Sequence, residues 1–192
     1  MALPEPFTTA SPALVNFSRT DIQSGVGYVD YFLIQSQTDA AFDYHLTPNK
    51  DYSNNEALSA NQSTNDNDFD LSPFVIPQTI DGTALISLAV ESTINNSPVF
   101  TCELYRVRGG AETQIGSTVV FEPTLTTAKM LYMPIVITNE VFQAQDTLRL
   151  RVVQANAGSI TSFMGIDPAN RSHGSLTITT TSKISVPFKL DL

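Results

Sequence analysis

Tryptophan is absent, cysteine occurs once and histidine twice in 192 residues. A single cysteine excludes a disulfide framework and any Cys-x-x-Cys redox or zinc motif, and it fits a chain matured in a reducing cytosol. Cys102, with Phe100 and Leu104 at period two on either side, reads as a small buried hydrophobe. The histidines, His45 and His173, form no His-x-x-x-His pair, and no Gly-x-Ser-x-Gly elbow accompanies them. A general base needs a positioned partner, and the sequence indicates none, so each imidazole reads as satisfied or solvent-facing. The lack of tryptophan also removes the ring on which bound sugars most readily stack.

Positive charge is scarce as well. Ten Lys and Arg stand against 19 Asp and Glu, a net charge of −9, which opposes binding to a phosphate backbone and excludes nucleic acid as a partner. Arg106, Arg108, Arg149 and Arg151 alternate along two segments and read as the solvated face of strands. No apolar run approaches the ~20 residues of a membrane span. The opening MALPEPFTTASPAL has neither the basic region nor the apolar stretch of a secretory signal, so the sequons beginning at Asn16, Asn61, Asn95 and Asn170 carry no message.

What is present is alternation. In DTLRLRVV, Asp146 to Val153, Leu148, Leu150 and Val152 take every second place with Arg149 and Arg151 between them, the pattern of a strand with one buried and one wet face. Ala84, Ile86, Leu88 and Val90 repeat it, as do Phe100, Cys102 and Leu104. Arg108-Gly109-Gly110-Ala111 marks a tight hairpin leading to Ile115, Val119 and Phe121. Leu131, Met133, Ile135 and Ile137 face one way, while Tyr132 and Val136 make the opposite side apolar too, which points to a central strand or a face that meets another chain. Ile160 to Ile166 reads as a further strand closed by a turn at Asp167-Pro168-Ala169-Asn170, and Leu176 to Phe188 as the longest strand of all.

Two segments break the rhythm. Met1 to Ser11 carries Pro4, Pro6 and Phe7 without periodicity and reads as an extended arm suited to attachment. Thr47 to Asp68 is polar and Asn-rich and reads as a large surface loop. Asp66, Asp68 and Asp70 alternate like the first half of a calcium loop, but the required glycine is missing and Pro77 stands where the bidentate glutamate belongs, so no metal site is assigned. The expected fold is an all-β, antiparallel jelly-roll sandwich of about eight to ten strands with an N-terminal arm. Residues 1–24 form the arm and lead-in, and residues 25–192 a single domain with its polar loop near 47–68.

Taken together, GVGYVDYF, QTIDGTALISLAV, DTLRLRVV with SFMGIDPANR, and the terminal SVPFKLDL resemble the tumour-necrosis-factor-like jelly-roll proteins carried on the virions of tailed bacteriophages. The resemblance runs from Gly25 to Leu192. It implies a non-catalytic homotrimer that decorates or cements the head, made in the host cytoplasm and ending on the virion, with the major capsid protein or another virion protein as partner. Under that reading Pro4, Pro6, Phe7, Tyr132 and Val136 are the candidate subunit or capsid contacts, and neither enzymatic activity nor a cofactor or membrane partner is expected. The alternative is a receptor- or glycan-binding module of a phage tail or head fibre, with the stretch Ser53 to Asp68 of the polar loop as its recognition surface and a host surface glycan as a candidate partner.

Overall fold

Alternating side chains become strands along most of the chain because period two puts every apolar residue on one side of a pleated ribbon. The computed structural model describes residues 26–38, 41–50, 53–61, 64–92, 98–125, 127–156, 161–173 and 179–189, and among them there is no helix. Eleven strands are formed: β1 Val26–Thr38, β2 Ala41–Thr47, β3 Ala57–Asn61, β4 Thr64–Leu71, β5 Gln78–Ser92, β6 Val99–Arg108, β7 Ala111–Phe121, β8 Lys129–Phe142, β9 Thr147–Ala155, β10 Thr161–Gly165 and β11 Lys183–Lys189. Hydrogen bonding runs β3-β10-β5-β11-β1-β2-β4-β9-β6-β7, with β8 on β5. The path doubles over, so that Ile86 and Leu88 of β5 and Met133 and Ile135 of β8 share one core with Phe69 of β4, Leu104 of β6 and Leu150 of β9. All seven are essentially sealed from solvent, and side chains of this kind contribute roughly 1.5–3 kcal/mol each when fully buried. The result is an all-β sandwich of jelly-roll type.

The strands at the limits of this path meet. β7 pairs only with β6, and β8 only with β5, among the described pairings. At Gly116 the β7 backbone passes so close to β8 that a Cβ there would lie 2.5 Å from Ile135 Cγ2 and 2.7 Å from the Val136 carbonyl oxygen. Gly116 also has φ +71°, a left-handed conformation that costs an L residue ~1–2 kcal/mol. The β6–β7 hairpin uses Gly109 and Gly110 at φ 55° and 84°, the two positive values that a two-residue turn needs to match strand twist.

Four expectations are corrected. The stretch read as a loop, residues 47–68, holds β3 and most of β4, which raises the number of strands above eight to ten. Its polar residues are strand residues because Asn67, Phe69 and Leu71 turn inward, while Asp68 and Asp70 find arginines on β9. The pairing is not wholly antiparallel: β2 and β4 run parallel through His45↔Asp70 and Leu46↔Leu71. The final described strand begins at Lys183 and is shorter than β5, because residues 179–182 leave the ladder to cap the 167–171 turn. There Thr180 N–H donates to Asn170 Oδ1 (2.9 Å), and the Thr181 hydroxyl donates to the Asp167 carbonyl (3.2 Å). Leu71 to Ile76, whose apolar residues read in the sequence as a strand leading into Thr83 to Glu91, leaves the ladder after Leu71.

Candidate interaction surfaces

Arg149 and Arg151 project from the outer face of β9, opposite Asp70 and Asp68 of β4. Arg149 grips Asp70 bidentately through Nε and Nη2, both at 2.7 Å, and reaches Asp68 at 2.8 Å and Glu112 at 2.5 Å through Nη1. Arg151 binds Asp68 through Nε (2.7 Å) and Nη2 (3.0 Å), and its guanidinium lies 4.7 Å from the Tyr105 ring centroid. Tyr105 donates its hydroxyl to Glu103 (2.6 Å), which also accepts from Thr118 (2.8 Å). The hydrogen bonds that Arg149 and Arg151 donate to Asp70 and Asp68 push both guanidinium pKa values further up. The arginines read as solvated are therefore the rungs of an ion-pair ladder. The spacing held the signal: aspartates at i, i+2, i+4 and arginines at i, i+2 are complementary when two strands lie side by side. Forked pairs of this geometry fix register more than they stabilise, since both partners remain partly wet. They also occupy the carboxylates that alternated like calcium ligands, and among the described residues no cluster of His, Cys, Asp and Glu is placed to hold a metal.

A second feature lies where β1 and β2 meet residues 72–77. A groove of about 540 Å³ runs between Tyr31, His45, Thr47 and Pro48 on one side and Phe74 and Val75 on the other. Burial raises the Tyr31 hydroxyl to about 12, so it stays protonated. The 72–77 loop is held rigidly. Phe74 packs edge-on against Phe142 (5.1 Å) and Phe188 (6.1 Å), and its backbone exchanges hydrogen bonds with the 143–146 turn: Phe74 N–H to Asp146 O at 2.9 Å, and Gln145 N–H to Phe74 O at 2.8 Å. Val75 and Ile76 are left 84% and 63% exposed.

Asp146 secures that turn. Its side chain is 2% exposed, takes Arg108 bidentately at 2.8 and 2.6 Å, and accepts the Gln143 N–H at 2.7 Å. The Arg108 hydrogen bonds, foremost, hold its carboxyl down at about 2 from an ordinary 3.8. A pKa depressed in the folded state means stability present above the unfolded value and lost as pH falls through the folded one. Urea midpoints are therefore expected to drop between about pH 4 and pH 2, and Asp146→Asn to be less stable at neutral pH with a shallower acid slope; parallel slopes for both proteins would contradict this assignment.

The third feature is the outer face of β5 and β8. Here Thr83 stands opposite Val136, Leu85 opposite Pro134 and Ser87 opposite Tyr132. Tyr132 is 61% and Val136 65% exposed, and Leu85 adds a partly exposed aliphatic surface beside them. These six side chains carry no charge. The face is bordered by the Lys183–Asp30 ion pair (2.5 Å), Lys183 of β11 standing opposite Ser87. Pro134 offers no N–H, so strand addition at the β8 edge is blunted and contact is left to the face. Pro4, Pro6 and Phe7 lie outside the described residues.

Among the described residues neither histidine is hydrogen-bonded to a serine or a carboxylate: His45 lines the groove and His173 lies 5.7 Å from the Phe163 ring. Cys102 is sealed in the core, and burial pushes its thiol up to about 12, which makes it inert.

No protein-family model matches the chain, and no curated protein matches it in sequence. Solved structures do match in fold. An α-amino acid ester hydrolase superposes with a TM-score of 0.59 at 10% identity, over 83% of this chain and 36% of the hydrolase. An aminopeptidase from the marine sediment archaeon Thaumarchaeota archaeon gives 0.56 at 8% identity, over 83% and 36%. A CocE/NonD family hydrolase from Staphylococcus aureus gives 0.55 at 13% identity, over 85% and 37%. The chain thus spans little more than a third of the length of these proteins. The expectation that it is not an enzyme is corrected by this finding, because each of these three enzymes contains a region of the same fold. No elbow or metal motif signals the likeness, since what is shared is a sheet arrangement; at such identities the likeness shows the fold alone.

Proposed function

We propose that the chain is a surface protein of a tailed-bacteriophage head, assembling as a homotrimer and docking on the major capsid protein or another virion protein through the outer face of β5 and β8. The observation that carries this reading is the uncharged face around Tyr132 and Val136 on a chain of net charge −9. Copies of an acidic protein repel one another, and so do an acidic protein and other acidic surfaces, so protein contact favours a neutral, apolar patch. The sequence resemblance supplies the setting. A change of Tyr132 and Val136 together to aspartate is expected to leave the fold intact, both side chains being on the wet side, and to abolish co-sedimentation with decoration-free heads. Undiminished co-sedimentation, or purified particles that lack the chain, would remove the reading.

In the fibre alternative, a receptor or host glycan held by residues 53–68 would rest on strands β3 and β4 in place of a free loop. A second reading follows from the likeness to hydrolases: the sandwich serves in the hydrolysis of amino-acid esters or N-terminal peptide bonds. Release of chromophore from aminoacyl esters and anilides by the purified chain would favour it over the virion reading.

A further inference from the structure

We infer that the sandwich binds a water molecule in its interior, held between Asn67, Gln154 and Ser92 as an internal ligand that joins the two sheets at the end where β4 and β9 face β5 and β10.

On β9 the inward positions run Leu148, Leu150 and Val152 and then turn polar at Gln154, which is fully sealed from solvent. Gln154 stands between Asn65 of β4 and Phe100 of β6. Its amide crosses the core: Nε2 donates to Ser162 Oγ on β10 at 2.6 Å. The Ser162 hydroxyl donates to Asn156 Oδ1 (2.8 Å), and Asn156 Nδ2 donates to the Ala60 carbonyl of β3 (2.6 Å). Every donor in this run points the same way, so its head, Gln154 Oε1, is an acceptor that only a further donor can satisfy.

The described residues do not supply that donor. Gln154 Oε1, Asn67 Nδ2 and Ser92 Oγ are buried atoms, and none of them has a hydrogen-bond partner among those residues. Register brings the three together. Ser92 is directly opposite Ser162, the residue that Gln154 holds. Asn67, itself buried, lies two residues along β4 from the Asn65 that faces Gln154, so Asn67 and Gln154 are diagonal neighbours on the inner face. Diagonal positions are ~7–8 Å apart along the backbone, a span that two amides and one bridging molecule cover.

The unpaired groups select the ligand. Asn67 Nδ2 can only donate, Gln154 Oε1 can only accept, and the Ser92 hydroxyl does either. A cation would meet the Asn67 N–H and an anion the Gln154 oxygen, so the set suits neither. Water does both, and roughly two to four polar partners are what a buried water requires. It accepts from Asn67, donates to Gln154 and has Ser92 as its third partner. The bridge then runs without a break from β4 through β9 and β10 to β3. An amide buried without a partner is strongly unfavourable, which gives the water its hold.

Crystals of the wild-type protein test this directly. Density for a water within hydrogen-bonding distance of both Asn67 Nδ2 and Gln154 Oε1 is expected; a dry site, or the two amides bonded to each other, would overturn the inference. Urea denaturation reads the same site through the sign of the change. Asn67→Leu keeps the shape but removes the donor and strands Gln154, so its midpoint should fall. Gln154→Met should also lower it, and the double change should cost less than the two single losses added, because both act through one bridging molecule. A raised midpoint for Asn67→Leu, the result for an amide buried unpaired, or strict additivity of the two losses, would count against the water as decisively as a dry site.

Discussion

Phe142→Ala is expected to lower the unfolding free energy by about 3–5 kcal/mol, the range for truncating a fully buried aromatic. Phe142 closes β8, is completely buried, and meets Phe74 at 5.1 Å between ring centroids. Phe74 in turn meets Phe188 at 6.1 Å, and Phe188 meets Tyr31 at 6.4 Å, so one row of rings ties the 72–77 loop to β8, β11 and β1. Removing the first ring leaves a cavity that rigid strands cannot collapse into, and it loosens the support under Val75 and Ile76. Urea denaturation measures the first effect. The second should appear as faster proteolysis at the 72–77 loop under native conditions. A loss below about 1 kcal/mol, less than a large-to-small change in a packed core costs, would mean that this row of rings is not packed as described.

Gly116→Ala is expected to cost roughly 2–5 kcal/mol, from the left-handed backbone and from overpacking together. The new methyl would fall within 2.5 Å of Ile135 Cγ2 and 2.7 Å of the Val136 carbonyl oxygen, and the carbonyl can yield only if β8 shifts. This is where β7 and β8 close the sandwich, so the damage should include faster amide exchange along β7. Gly109→Ala provides the comparison: its φ is also positive, but nothing lies within 4 Å of the added atom. Equal losses at the two glycines would contradict the close approach at Gly116.

The strands that could be read from the sequence are those in which burial alone decides the face. Leu148, Leu150 and Val152 are fully buried, as the alternation in DTLRLRVV required, and β5, β6 and β8 follow the same logic. β3 and β4 are not legible as strands, because Asn and Asp have low strand propensity and what holds each lies elsewhere in the chain: β10 for β3, and for β4 two arginines about eighty residues later. Val75 and Ile76 misled in the opposite direction. Their β-branched side chains favour a strand, but Pro73 and Pro77 flank them and Phe74 is drawn into the core, leaving the pair outside. Of the candidate contacts, the outward positions of Tyr132 and Val136 were legible from the alternation of β8. The groove was not, since it is assembled from β1, β2 and the 72–77 loop, which only the folded path brings together. The hydrolase likeness lies in the arrangement of strands, for which one sequence offers no short motif.

Multi-angle light scattering of the purified chain at micromolar concentration puts the assembly account at greatest risk. Three copies per particle is the expected mass. A wild-type mass of a single chain would contradict it.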